Sequence, residues 1–298
     1  MPDREITTVL TGLSYLECPR WHDERIWVSD FYTNQVLSSR ENGSDLRVEA
    51  EVAQQPSGLG WLPDGRLLIV SMRDARILRR ENDGTLITHA DLGGHVTGAP
   101  NDLVVDAQGR AYVGNFGFDL MSGADIETAA VHRVDPDGSV HQVADDLWFP
   151  NGSVVTDDNM LIVDETFGNR ISVFDIEADG SLGPRRDWAR FGDLPPTRAV
   201  AEALPLGVVA PDGCGLDAEG LLWVADALHG RVIRVREGGE IVDEMSAGTG
   251  VFACMLGGSD GRTLFMCAAP DFAEEARRAA REAQLLAVRV DVPHAGRP

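Results

Sequence analysis

The 298-residue chain is short of positive charge. It carries 26 Lys and Arg against 48 Asp and Glu, for a formal net charge of −22, and no basic cluster interrupts the acidic excess. Sequence-independent binding to nucleic acid comes from Lys and Arg displacing counterions from phosphates, so nucleic acid is excluded as a partner, and an anionic membrane surface with it. Long hydrophobic runs are also missing, since stretches such as residues 204–210 are far too short to span a bilayer. The opening Met1-Pro2-Asp3-Arg4-Glu5 has no basic segment leading into an apolar one, so no export leader is expected. Cysteine is scarce as well. Cys18, Cys214, Cys254 and Cys267 form no CxxC pair, and they suit free thiols in a reducing cytoplasm better than a disulfide framework. What remains, 25% charged and 43% hydrophobic residues, is a globular composition and excludes disorder.

A short apolar run recurs along the chain: Ile26-Trp27-Val28, Leu68-Ile69-Val70, Ala111-Tyr112-Val113, Leu161-Ile162-Val163, Leu222-Trp223-Val224 and Leu264-Phe265-Met266. Anchored on Val28, Val70, Val113, Val163, Val224 and Met266, the spacings are 42, 43, 50, 61 and 42 residues. A polar turn precedes each run, for example Pro63-Asp64-Gly65-Arg66 and Ser259-Asp260-Gly261-Arg262, and another apolar stretch precedes each turn. Turns rich in Gly and Asp between β-branched and aromatic runs are a hairpin signal, and a period in the forties with several strands per repeat marks a propeller blade. The pattern predicts an all-β, six-bladed β-propeller occupying residues 1–298 as one domain. Thr7-Thr8-Val9-Leu10 is expected to complete the last blade beside Leu285-Leu286-Ala287-Val288, which removes two free sheet edges at once. Three insertions break the spacing. Residues 117–130 and 188–210 are candidate lids, and residues 272–284, rich in Ala, Glu and Arg, predict a short helix.

Counting back twelve residues from each anchor, and eleven in blade one where the turn is shorter, selects six equivalent ring positions: Glu17, Gly58, Asn101, Asn151, Asp212 and Cys254. Four of them carry carboxylate or amide oxygen at one level of a ring, the donor set that Ca²⁺ and other hard cations take. Turn formation alone would account for Asn151-Gly152 and Asp212-Gly213, but not for Glu17 and Asn101, which no Gly follows. Residues just after each second strand return to the same end of the channel. They include Arg73, Asn115 and His229, the last a candidate proton shuttle. Trp148-Phe149 is placed to form an apolar pocket wall.

These same residues make the chain resemble the SMP-30/gluconolactonase/luciferin-regenerating-enzyme family of regucalcin-like propellers. The resemblance spans nearly the whole chain. It is carried by Glu17-Cys18-Pro19-Arg20-Trp21, Pro100-Asn101-Asp102, Pro150-Asn151-Gly152 and, most specifically, Pro211-Asp212-Gly213-Cys214-Gly215-Leu216 running on to Leu222-Trp223-Val224-Ala225. It implies a hydrolase that opens a lactone or ester with one divalent metal ion, Ca²⁺ first and Mg²⁺, Mn²⁺ or Zn²⁺ as alternatives. Residues matching Glu17, Asn151 and Asp212 would hold the metal. Asn101 would touch substrate or, as in the paraoxonase and diisopropylfluorophosphatase relatives, the metal. Asp212 would serve as base or nucleophile, and Asp102 would join the substrate contacts. A phosphotriesterase on the same site, or a non-catalytic Ca²⁺-binding propeller, are the alternative readings. Sugar-lactone members commonly carry Arg two residues before the blade-three Asn, where this chain has Ala99. That departure points to a less hydroxylated substrate and leaves Arg73 as the candidate replacement cation.

Overall fold

Each polar turn reverses the chain between two antiparallel strands, and two further strands complete a sheet outward from the axis. The computed structural model describes residues 4–296; residues 1–3, on which the leader reading partly rests, and 297–298 lie outside the described part. The described residues form six four-stranded sheets. The innermost strands are Leu16–His22, Pro56–Trp61, Pro100–Val105, Pro150–Val155, Pro211–Leu216 and Gly250–Gly257. Each touches the innermost strands of the blades on either side, which closes the ring of the six-bladed β-propeller.

The recurrent apolar runs are the second strands. Arg25–Asp30, Leu67–Ser71, Ala111–Asn115, Leu222–Asp226 and Thr263–Ala269 are buried from end to end. A strand covered on both faces by neighbouring blades has no solvent side, so it reads as a continuous β-branched and aromatic run instead of an alternating one. Outermost strands such as Arg47–Glu51 are mostly exposed and correspondingly charged.

The ring closes as the sequence predicts. Thr7–Leu13 lies antiparallel to Ala283–Arg289, with Thr7 opposite Ala287 and Leu13 opposite Ala283, and supplies the fourth strand of blade six. Across the seam, Trp21 of blade one stacks on the fully buried Phe265 of blade six with ring centroids 5.9 Å apart.

The two candidate lids are joined to each other. Ile126 N–H donates to Arg198 O at 2.7 Å and Arg198 Nη1 donates to Ile126 O at 3.0 Å, while the Arg198 guanidinium lies 4.5 Å from the Trp148 ring centroid. The third insertion contains the expected helix, Glu274–Ala280. The four cysteines are buried and unpaired. No helix among the described residues is long and apolar enough to cross a membrane.

Because Phe265 fills the seam where the ring closes, Phe265→Ala is expected to lower the free energy of unfolding by about 3–5 kcal/mol. Urea titration followed by tryptophan fluorescence measures this. A loss under about 1 kcal/mol would show that the seam does not depend on this contact.

Candidate active site

Five innermost strands begin alike, with Leu or Pro followed by the ring residue: Leu16-Glu17, Pro56-Ser57, Pro100-Asn101, Pro150-Asn151 and Pro211-Asp212. In the four Pro-led strands the register with the second strand then shifts, between Pro56 and Leu59, Pro100 and Leu103, Pro150 and Ser153, and Pro211 and Cys214. A bulge of this kind kinks the strand and re-aims one side chain, here toward the channel mouth. The Gly after Asn151 follows from packing as well as from turn chemistry. A Cβ on Gly152 would collide with the backbone oxygen of Asp212 on the next innermost strand.

Two ring positions differ from the count. In blade two Leu59 pairs with Ile69, as Leu103 pairs with Val113 in blade three, so the anchor is Ile69 and the ring residue is Ser57 instead of Gly58. In blade six the hairpin is longer between turn and bulge. The shift falls between Val251 and Ala253, and Phe252 takes the place expected for Cys254. Cys254 is buried behind the ring, its thiol 3.4 Å from Trp223 O and 3.5 Å from Gly213 O.

Glu17, Asn101, Asn151 and Asp212 come together on the floor of one cavity of about 430 Å³, each with 8% or less of its surface exposed. Ser57 Oγ donates to Asn101 Oδ1 at 3.0 Å, Asn101 Nδ2 donates to Asn151 Oδ1 at 2.7 Å, and Asn151 Nδ2 donates to Thr166 Oγ1 at 3.0 Å and also bonds Asp212. Thr166 in turn donates to Pro211 O at 2.9 Å. Glu17 accepts from the Tyr15 hydroxyl at 3.2 Å and from Cys18 N–H at 3.3 Å. Burial, and after it the Asp102 charge, push the Glu17 carboxyl up to about 8. Burial raises Asp212 too, and the Glu17 charge is the next cause. The two acids thus oppose each other's ionisation.

The remaining candidates separate. Arg73 lines the cavity, donating from Nε to Gln55 Oε1 at 2.9 Å and from Nη2 to Glu274 Oε2 at 2.7 Å. Asp102 does not line it; its carboxylate turns behind the ring to a buried ion pair with Arg20 at 2.8 Å. Asn115 is fully buried and serves the backbone, donating to Ala130 O at 2.8 Å and accepting from Gly117 N–H at 3.0 Å. His229 lies outside the cavity in a neighbouring surface depression, its Nδ1 2.9 Å from Asp226 Oδ2. Bulge geometry accounts for Asp102, and the last two were placed by strand ends alone. Acids at those strand ends have a repeated structural task. Asp30 accepts Ser14 N–H, Glu165 accepts Trp148 N–H and Asp226 accepts Ala210 N–H, each tying down the loop that leads into an innermost strand. Sequence counting passed over Tyr15, Ser57, Thr166 and Phe252. Only the strand register locates Ser57 and Phe252, and Tyr15 and Thr166 sit in loops where no periodicity operates.

The floor fits a hard divalent cation. Two buried carboxylates face it, neither has an ion-pair partner among the described residues, and two amides beside them can present oxygen. No cluster of three or more His, Cys, Asp or Glu side chains suited to a metal occurs among the described residues, so the amides are needed to complete a donor set.

Fold and site together define a propeller with an acid–amide ring at one channel mouth. The chain belongs to the SMP-30/Gluconolactonase/LRE-like family, whose model matches residues 16–270. It is 27% identical over 297 residues to the 6-deoxy-6-sulfogluconolactonase of Pseudomonas putida, covering 95% of this chain and 93% of that relative. It is 26% identical over 292 residues to a pentonolactonase of Haloferax volcanii, covering 95% and 92%. The crystal structure of a calcium-binding regucalcin from Agrobacterium tumefaciens has the same fold, with TM-score 0.78 at 18% identity over 99% of this chain and 96% of that one.

Between the ordinary carboxyl value of 4.5 and the raised value of about 8, folded Glu17 keeps a proton that the unfolded chain releases. The Glu17 contribution to the stability of the metal-free protein therefore falls as pH rises through that window and levels off above it. Glu17→Gln removes the penalty. In chelator, the variant is expected to unfold at higher urea than the native chain above about pH 8, with the gap closing toward about pH 4. A variant less stable than the native chain above pH 8 would contradict the assignment.

Proposed function

We propose that the propeller, acting as one unit over residues 1–298, is a cytoplasmic lactonase that uses one divalent metal ion, Ca²⁺ in first place. The observation that carries this reading is the convergence of Glu17, Asp212, Asn101 and Asn151 on the floor of one substrate-sized cavity. Family membership supports it, as do the names of the relatives from Pseudomonas putida and Haloferax volcanii, both of which describe lactone hydrolysis. The regucalcin relationship supports calcium, and an oxygen-only donor set is more natural for Ca²⁺, Mg²⁺ or Mn²⁺ than for Zn²⁺. The four buried free thiols support a reducing compartment.

Glu17, Asn151 and Asp212 would hold the ion, with Asn101 beside them. Bound there, the ion supplies Lewis-acid polarisation of the substrate carbonyl and stabilises the oxyanion that forms on it. The residues do the rest. Asp212 takes a proton from the attacking water as its oxygen bonds to the carbonyl carbon. The ring C–O bond then breaks, the departing alkoxide takes up the proton, and a hydroxy acid results. With the ion bound, Asp212 is held ionised, the form that can accept a proton. The Asn151 amide, fixed through Thr166, orients the Asp212 carboxylate. Tyr15 holds Glu17 in place.

Asp212→Asn should lower kcat on a hydrolysable lactone by roughly 10²–10⁴-fold while the fold persists by circular dichroism. Chelator should abolish turnover in the native chain, and added Ca²⁺ should restore it. Turnover that survives both complete metal removal and Asp212→Asn would defeat the reading, and metal binding without turnover of any lactone would mark a non-catalytic Ca²⁺ binder.

A further inference from the structure

Above its polar floor the cavity is walled by aromatic rings. On one side Phe116 stacks on Phe149 with centroids 4.4 Å apart, and Phe167 meets Phe149 edge-on at 5.5 Å. On the other, Tyr15 packs against Phe252 at 5.1 Å, and Phe272 closes on Phe252 at 6.4 Å near the rim. Phe252 occupies the sixth ring position itself, and Ala99 presents only a methyl group where a cation or amide could stand.

The polar groups that do lie on the walls are engaged. Arg73 is held by Gln55 and Glu274, the Gln55 amide nitrogen rests against Met72 Sδ at 3.2 Å, and the Tyr32 hydroxyl donates to Phe272 O at 2.5 Å. The Tyr15 hydroxyl is spent on Glu17, and the Thr166 hydroxyl donates to Pro211 O. Arg73 keeps N–H donors beyond its bonds to Gln55 and Glu274, but against the ring faces themselves a ligand hydroxyl would lose water without gaining a hydrogen bond, which is unfavourable, whereas an alkyl or aryl group gains by leaving water. The three insertions add to the same surface, through Leu120 and Met121, Leu204, and Phe272.

We infer that the ligand of this cavity carries an apolar substituent, an alkyl chain or an aryl ring, in place of the hydroxyls of a sugar lactone. Its carbonyl end meets the floor and its substituent lies between the two aromatic walls. This rests on the lactonase reading for the reacting group. The apolar half of the inference rests on the walls alone.

The test compares kcat/KM for δ-valerolactone, δ-decalactone (the same ring with a pentyl group) and glucono-1,5-lactone, using the metal-loaded full chain. The pentyl lactone is expected to exceed the bare ring by about 10²-fold or more, given the transfer free energy of five buried carbons. Glucono-1,5-lactone should fall below both. Phe116→Ser and Phe272→Ser should each narrow the pentyl-to-bare ratio; the second residue is 42% exposed, so that variant keeps the fold if the first does not. A preference for glucono-1,5-lactone would overturn the inference and leave the lactonase reading standing. If no lactone is turned over, the lactonase reading fails, and calorimetry with the matching lactams decides the inference separately. Tighter binding of the pentyl lactam than of the bare lactam supports it, and tighter binding of the gluconolactam overturns it.

Discussion

Glu17 and Asp212 are two carboxylates at the mouth of the channel whose proton affinity is raised first by burial and then by neighbouring negative charge, Asp102 for Glu17 and Glu17 for Asp212. The protein supplies no cation to either of them among the described contacts, although it does supply one nearby. Arg20 is spent on Asp102 and on the backbone oxygens of Pro19 and Leu103. Like charges left uncompensated in a buried site are unfavourable, and a fold retains them where something else neutralises them. A proton does so in the metal-free state. A divalent cation would do so in the working state, releasing protons as it binds.

Much of the surrounding architecture holds that pair in place. The ring brings six strand starts to one level, and the bulges after the leading Pro residues turn the ring side chains toward the mouth. Ser57, Asn101, Asn151 and Thr166 form a continuous hydrogen-bonded arc between the two acids. A second tier of acids, Asp30, Glu165 and Asp226, anchors the loops that enter the innermost strands. Side chains locked by such partners keep their geometry when a ligand arrives, which is what a preorganised site requires.

The fold was readable in the sequence because second strands buried on both faces leave unbroken apolar runs, and six of them at a regular period imply a closed ring. Four of the six ring residues were readable for the same reason, since Glu17, Asn101, Asn151 and Asp212 lie at fixed distances from those runs. Ser57 and Phe252 were not. One residue of register in blade two and a longer hairpin in blade six moved the true positions away from Gly58 and Cys254, and a shift of one residue exchanges the faces of a strand. The same sensitivity explains Asp102, one residue beyond Asn101 and turned to Arg20. Asn115 and His229 stand at strand ends that do return to the mouth, but their side chains bond the backbone and Asp226 instead. Apart from Phe252 on an innermost strand, the aromatic walls are assembled from loops and insertions distant in sequence. Trp148-Phe149 was the one legible part, and of the two it is Phe149 that lines the cavity, with Trp148 lying beneath Arg198.

The central claim is that the paired acids are a cation site. Anomalous diffraction from crystals of the protein grown with Mn²⁺ tests it most directly. The account predicts one strong anomalous peak on the cavity floor, between the carboxylates of Glu17 and Asp212 and next to Asn151. A floor without such a peak in crystals that show Mn²⁺ elsewhere on the molecule would contradict it.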